Sequence, residues 1–139
     1  MIQPLESAYR AAWYCFWTPS GALYVQPGRP VAEAHLPVLH PNRHWCFITA
    51  ANPGSRRLSL QENRLRNLWL KTALRQQGID TAPAWSGCPR RKWPVEPGFW
   101  LVLPTLTPAI ELARRAGQRA LLYGSPQKAA ALYWLDHDR

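Results

Sequence analysis

The residues best placed for ligand chemistry form a turn between an apolar segment and a helix start. Residues 44–50 are mostly β-branched or aromatic, which predicts a buried strand. An Asn-Pro-Gly-Ser sequence at 52–55 and two arginines follow it, and ligands collect where the strands of α/β sheets end. Because backbone N–H groups, a helix dipole and arginine side chains suit an anion, this turn predicts anion binding. The expected ligand-binding residues of the turn are Asn52, Ser55, Arg56 and Arg57.

The same turn has a simpler interpretation, since Asn-Pro-Gly is ordinary turn chemistry. It is not a P-loop, because the glycine spacing and the Lys-Ser/Thr pair of that motif are missing. Asn52 offers a donor and an acceptor, which suits an amide or a base edge, and it is one of two candidate catalytic residues.

The other catalytic candidate is Glu96, the only carboxylate in residues 81–110, just before the apolar segment 99–103. Such a carboxylate can act as a general base, orient a ribose or form an ion pair with the basic segment, and the ion pair is the simplest of these. Gln118 lies between a predicted helix end and a predicted strand. Its amide can contact a ligand or cap backbone groups, and capping is the simpler interpretation.

Positive charge is concentrated in the middle of the chain. The protein carries 17 Lys and Arg against 8 Asp and Glu, and residues 56–92 hold nine of these cations against Glu62 and Asp80. A basic face favours a nucleic acid, a nucleotide or an acidic protein, and it also serves to keep a small protein soluble. Trp85 and Trp93 are candidates for base stacking beside it. The nucleic-acid-binding candidates are Arg64, Lys71, Arg75, Arg90, Arg91 and Lys92.

Length and composition limit the remaining classes. With 139 residues and 47% hydrophobic residues, the chain is expected to form one domain, 1–139, with a real core. No stretch approaches the roughly 20 apolar residues of a membrane span, and the first residues lack the apolar region of a secretory signal. Three cysteines far apart in sequence favour a reducing cytoplasm.

A metal site is not expected. Prolines separate the histidines of the only loose cluster of possible ligands, and no second ligand pair exists elsewhere. No cofactor is predicted either. The possible ligands in that cluster are His35, His40, His44 and Cys46.

The elements that must position these residues follow from hydrophobic patterning. We expect a hairpin from 9–17 and 22–26, strands at 44–50, 99–103, 119–123 and 130–135, and a short optional strand at 83–85. Ser59 and Glu62 predict a capping box at the start of a helix over 60–77, and Thr107 is expected to cap a second helix that Pro108 opens. In the first helix, the residues expected to face the core are Leu65, Leu68, Trp69 and Thr72.

This order predicts an α/β fold. We expect a single compact domain with a mixed β-sheet, an N-terminal hairpin and a βαβαβ core flanked by two helices. Such a core favours parallel neighbouring strands and right-handed crossovers.

The motifs and their order resemble the bacterial domain of unknown function 3293 (DUF3293). The residues that carry the resemblance are Tyr9, Tyr14, Ile48, Thr49, Ala50, Asn52, Pro53, Ser55, Glu62, Asn63, Trp93, Glu96, Pro97, Gly117, Gln118 and Ala120. The likeness covers most of the chain; the Pro-rich region 27–41 and the additional tryptophans depart from it. The family transfers no activity, but the resemblance implies that Asn52, Asn63, Glu96 and Gln118 belong to one site, with Asn63 a further ligand-binding candidate.

A fainter similarity links the Asn-Pro-Gly turn to uracil-DNA glycosylases, whose later His-Pro-Ser loop is not matched by residues 124–126. Three functions therefore stay open. The first and favoured one is binding of a nucleotide or another anionic small molecule at the 52–57 turn. The second is a nucleic-acid-binding module, glycosylase-like in one version, and the third is an interaction domain for an acidic protein. The sequence names no reaction, and whether the protein is an enzyme stays open.

Overall fold

The computed structural model describes residues 12–18, 21–29, 44–87, 95–125 and 128–135. Within them, seven strands form one sheet, and two helices and a short 3-10 turn at Pro53–Ser55 connect parts of it. The strands are β1 (Trp13–Thr18), β2 (Gly21–Val25), β3 (His44–Ile48), β4 (Ala82–Gly87), β5 (Glu96–Leu103), β6 (Ala120–Gly124) and β7 (Ala131–Trp134). The helices are α1 (Leu60–Gln76) and α2 (Thr107–Arg115).

The strand order is β2-β1-β4-β5-β3-β6-β7, and every neighbouring pair is antiparallel. Helix α1 connects β3 to β4, and α2 connects β5 to β6. Each helix therefore joins two strands of the same direction with one antiparallel strand between them. This is the split β-α-β-β-α-β arrangement, extended by β1 and β2 at one edge and by β7 at the other.

The expected N-terminal hairpin is present as β1 and β2, and helices combine with a sheet as the α/β class requires. The expected parallel neighbours are wrong for the described sheet. The reason is β4, which the sequence suggested only as an optional short strand. It pairs with β5 through Ala84 and Gly98, so β5 enters the sheet between β3 and β4 and separates the two strands that α1 connects.

The two faces of the sheet bury different side chains. On the face covered by the helices, Ile48 and Leu101 pack with Leu70 of α1 and Leu112 of α2. The opposite face is aromatic, and it includes Phe16 stacked on Trp100, with ring centroids 4.9 Å apart. Strand β3 supplies both faces by simple alternation, since consecutive side chains of a strand point in opposite directions. The aromatic core residues are Tyr14, Phe16, Trp45, Phe47 and Trp100.

Helix α1 begins as the sequence predicts but turns a different face inward. The Ser59 side chain accepts a hydrogen bond from the Glu62 backbone N–H, and the Glu62 carboxylate accepts one from Ser59 N–H, so the capping box is confirmed. The predicted core residues are wrong, because Leu65 and Leu68 are each 61% exposed and Trp69 is 39% exposed. The residues buried instead are Asn67, Leu70 and Leu74.

Two smaller points complete the fold. Thr107 is the first residue of α2 rather than its cap, since Leu106 occupies the cap position and makes no side-chain capping bond. No helix in the described part of the chain is long and apolar enough to cross a membrane.

Candidate functional site

The chain turns sharply just after β3, at Asn52. This residue has left-handed backbone angles (φ 48°, ψ 61°) and is 8% exposed. Ser55, three residues later, also has a positive φ of 62°. Asparagine adopts this region more readily than most residues, because its short polar side chain can bond to nearby backbone. Asparagine therefore suits this left-handed position of the turn.

The Asn52 side chain is the centre of a hydrogen-bond network. Its Nδ2 donates to Glu96 Oε2 over 2.7 Å, and its Oδ1 accepts from Leu58 N–H at 2.9 Å and from Asn63 Nδ2 at 2.8 Å. The Asn52 backbone N–H returns a bond to Asn63 Oδ1 at 2.9 Å. Because a backbone N–H can only donate, Leu58 fixes which end of the Asn52 carboxamide is oxygen and directs the nitrogen to Glu96.

Glu96 is half-buried at the start of β5, and its partner is an amide rather than a cation. Burial raises the pKa of this carboxyl, and the hydrogen bond from Asn52 opposes the rise by favouring the charged form. Among the described residues, no Lys or Arg forms an ion pair with it; Arg90, Arg91 and Lys92 of the basic segment lie outside them, so the expected ion pair stays a prediction. A carboxyl group with a raised pKa keeps its proton closer to neutral pH than an ordinary glutamate.

A second layer of polar side chains ties α1 to the chain after β3. Asn67 Oδ1 accepts from Ala50 N–H at 2.8 Å, and Asn67 Nδ2 donates to the carbonyl of Pro97 at 3.0 Å. Thr49 Oγ1 donates to the same carbonyl at 2.7 Å. Arg66 Nε donates to the carbonyl of Ala50 at 2.6 Å. The site is therefore joined to the helix by side-chain-to-backbone bonds.

Sequence reasoning counted Arg66 only as part of the basic segment and did not assign Arg66 or Asn67 to the site. One signal for them exists, since Asn63, Arg66 and Asn67 are spaced by three and four residues and so share one face of α1. A polar row of this kind is usually solvent-exposed, and only the buried backbone groups it contacts reveal its role.

Most backbone N–H groups of the 52–57 turn already have partners within the protein. The Gly54 N–H donates to the carbonyl of Gly117 at 2.7 Å, and the N–H groups of Ser55 and Arg56 bond within the turn. At the start of α1, the Glu62 carboxylate already occupies a position that an anion would take. These N–H groups are therefore not available to an anion, and ligand binding by Asn52, Ser55, Arg56 and Arg57 stays a prediction.

The structure brings some of the sequence-predicted residues together and separates others. Asn52, Asn63 and Glu96 are linked directly, and Gln118 joins them through a 2.9 Å bond from Nε2 to the carbonyl of Ala51. The turn residues include half-buried Ser55 and the exposed Arg56 and Arg57, while the exposed cations Arg64, Lys71 and Arg75 follow one side of α1. Outside the described residues lie His35, His40, Cys88, Arg90, Arg91, Lys92 and Trp93.

A pocket of about 410 Å³ lies between the first half of α1 and the strands β4 and β5. The helix contributes Leu60, Asn63, Arg64 and Asn67 to its lining, and the residues from the strands include Trp85 and Phe99. Glu96 is not among the lining residues; it is connected to the pocket through Asn52 and then Asn63. The pocket therefore shares its helical wall with the network.

The family model for proteins of unknown function (DUF3293) matches residues 48–121. The chain belongs to the DUF3293 family. The DUF3293 match begins at the last residue of β3 and ends within β6, so it contains the whole Asn52 network and the pocket, while β1, β2 and β7 lie outside it. The predicted resemblance is confirmed. Comparison with the curated proteins and with the solved structures finds no match.

Proposed function

We propose that this DUF3293 protein binds a small molecule that combines a planar heteroaromatic ring with an anionic group, as a nucleotide does. The observation that carries the proposal is the pocket between α1 and the strands β4 and β5. Its volume of about 410 Å³ lies within the range of known small-molecule sites. Its lining combines aromatic rings with a few fixed polar groups, which is typical of such sites.

The two carboxamides of the pocket give it hydrogen-bonding specificity. Asn63 Nδ2 donates to Asn52, and Asn67 Nδ2 donates to Pro97. A carboxamide nitrogen has two hydrogens, and among the described residues no acceptor is found for the second one of either Asn. Both groups are held in place by their other bonds, so they can donate to ring acceptors of a ligand without being reordered.

Aromatic and cationic groups supply the other two parts of recognition. Trp85 and Phe99 provide surfaces on which a planar ring can stack. Arg64 is exposed and also lines the pocket, so its guanidinium can bind a phosphate or carboxylate of the same ligand. Glu96 as a general base stays a prediction, since its carboxyl lies beyond the pocket wall.

The test is a thermal-shift and calorimetric screen with nucleoside monophosphates, the matching nucleosides, inorganic phosphate and short single-stranded DNA. We expect a nucleoside monophosphate to stabilise the protein, because ligand binding to the native state raises apparent stability. Arg64→Ala should weaken that binding about tenfold, which is the effect of losing one charge-assisted contact. Trp85→Leu should weaken binding of the nucleoside as well.

Arg75→Ala is the matched control, since Arg75 is also exposed on α1 but does not line the pocket. Equal losses in the Arg64 and Arg75 variants would show that the response is only to net charge. Stabilisation by phosphate alone, by DNA alone, or by none of these compounds would contradict the proposal.

A further inference from the structure

Helix α1 exposes an apolar stripe that is separate from the pocket. Leu65 and Leu68 are each 61% exposed, and Trp69 beside them is 39% exposed. The spacing of three and four residues places them on one face of the helix. Isolated exposed apolar residues are common, but a contiguous apolar stripe on a helix typically marks an interaction surface.

Cations border this stripe on both sides. Arg64, Lys71 and Arg75 recur at intervals of seven and four residues, so they form a row along one flank over about 16 Å of helix. On the other flank, the guanidinium of Arg115 from α2 lies 5.6 Å from the centre of the Trp69 ring. The surface therefore has an apolar centre, a row of cations along one flank and Arg115 on the other.

We propose that this face of α1 docks an amphipathic helix of another protein, with apolar residues on the stripe and acidic residues along both flanks. An amphipathic helix presents apolar side chains at the same spacing of three and four residues that the stripe shows. Asp or Glu side chains beside that apolar face complement the row formed by Lys71 and Arg75 and the opposite Arg115. The net charge of +9 also attracts an acidic partner at a distance.

A second copy of this chain fits the surface poorly. In an antiparallel two-fold pairing through the stripe, the row of Arg64, Lys71 and Arg75 of one copy faces the same row of the other, which is repulsive. Nucleic acid also fits poorly, since the exposed centre includes two leucines, which neither stack on bases as aromatic rings do nor donate hydrogen bonds.

The test is a selection of displayed random peptides on the immobilised full chain, followed by affinity measurements with the synthetic winners. We expect the winners to be rich in Asp and Glu and to repeat apolar residues at helical spacing. Leu68→Ser and the double variant Lys71→Glu, Arg75→Glu should each weaken binding about tenfold or more. Both changes are on exposed side chains, so circular dichroism should show an unchanged fold.

Arg56→Glu is the matched control, because it reverses an exposed charge away from α1 and should leave peptide affinity unchanged. Winners without acidic enrichment, or winners that bind the Leu68→Ser protein equally well, would overturn the proposal. So would Leu68-dependent binding to vesicles of phosphatidylcholine and phosphatidylglycerol, or Leu68-dependent dimerisation seen by light scattering. Nucleotide binding is measured in parallel, since the docking variants leave the pocket residues Trp85 and Arg64 unchanged.

Discussion

The two faces of the first half of helix α1 reverse the usual distribution of side chains. The face toward the sheet carries Asn63, Arg66 and Asn67, and the face toward solvent carries Leu65 and Leu68. Most surface helices bury their apolar side and expose their polar side. Here the inner polar groups bond to Asn52 and to backbone around Ala50, and Leu70 and Leu74 are buried further along the same face, so hydrogen bonding and apolar burial together set the rotation of the helix.

This reversal shows that a buried polar side chain can influence how a helix packs on a sheet when its partner is a backbone group. A backbone N–H or carbonyl left unpaired in the interior costs about 1 to 3 kcal/mol. Rotating α1 so that Leu65 and Leu68 face the sheet would leave several such backbone groups unpaired around residues 50–52. The exposed Leu65 and Leu68 are then available for the docking proposed above.

The largest expected effect of breaking the inner contacts is at Asn52. Asn52→Ala removes the acceptor for Leu58 N–H and places alanine at a positive φ, so we expect a loss of about 3 kcal/mol in the free energy of unfolding. Asn52→Gly relieves the backbone strain and should lose about 1 kcal/mol less. Urea denaturation of both variants measures this; equal losses would show that the left-handed backbone is not strained.

The next effect is at Asn67, which contacts the strand side directly. Asn67→Ala leaves Ala50 N–H without its acceptor, and we expect the free energy of unfolding to fall by about 2 kcal/mol. Thermal or urea denaturation provides the measurement. A change below about 0.5 kcal/mol, as at ordinary surface positions, would mean that the hydrogen bonds of Asn67 do not help to set the helix rotation.

Glu96 is expected to make the free energy of unfolding depend on pH. Its folded-state pKa is raised, mainly by burial, so the folded protein binds the proton more tightly than the unfolded chain does. Its contribution to stability is therefore most favourable at low pH and falls as pH rises from the unfolded pKa through the folded pKa. Glu96→Gln keeps an acceptor for Asn52 and should flatten this part of the stability profile.

Urea midpoints measured across the acidic to neutral range check this expectation. Glu111→Gln, on the exposed side of α2, is the control for removing one negative charge. If the Glu96 and Glu111 variants have the same pH profile, burial of Glu96 has no energetic consequence.

The smallest effect is expected on the outer face. Leu68 follows Asn67 in the chain but points to solvent, so Leu68→Ala should change the free energy of unfolding by less than about 0.5 kcal/mol. Urea denaturation of Asn67→Ala and Leu68→Ala under one set of conditions thus compares the two faces directly. A cost at Leu68 as large as that at Asn67 would remove the distinction between the faces.

Local signals in the sequence predicted local structure well. The Ser59 and Glu62 capping box, the β1–β2 hairpin and the strand before Asn52 all lie where their patterns indicate. These features depend on neighbours within a few residues. The closeness of Asn52 and Glu96 depends instead on how β3 and β5 pair, and the family resemblance suggested it without a physical reason.

Two features could not be predicted from such patterns. Strand β4 contains Pro83 and Ser86, so it lacks the apolar run that marks a central strand, and the antiparallel order of the sheet was missed with it. The polar residues of the inner face of α1 were missed because their partners are largely backbone groups, which leave no mark in the sequence. Apolar periodicity then assigned Leu65 and Leu68 to the core.

The position of β3 in the sheet has a consequence for folding during synthesis. Cys46 pairs with Leu101 of β5 and with Tyr123 of β6, so its partners are made about 55 and about 77 residues later. Until then the nascent chain carries a strand that ends up almost wholly buried, with no neighbour to bond to. Loop-closure entropy must be overcome before these distant pairings form, so the sheet assembles late and slowly, after most of the chain has left the ribosome.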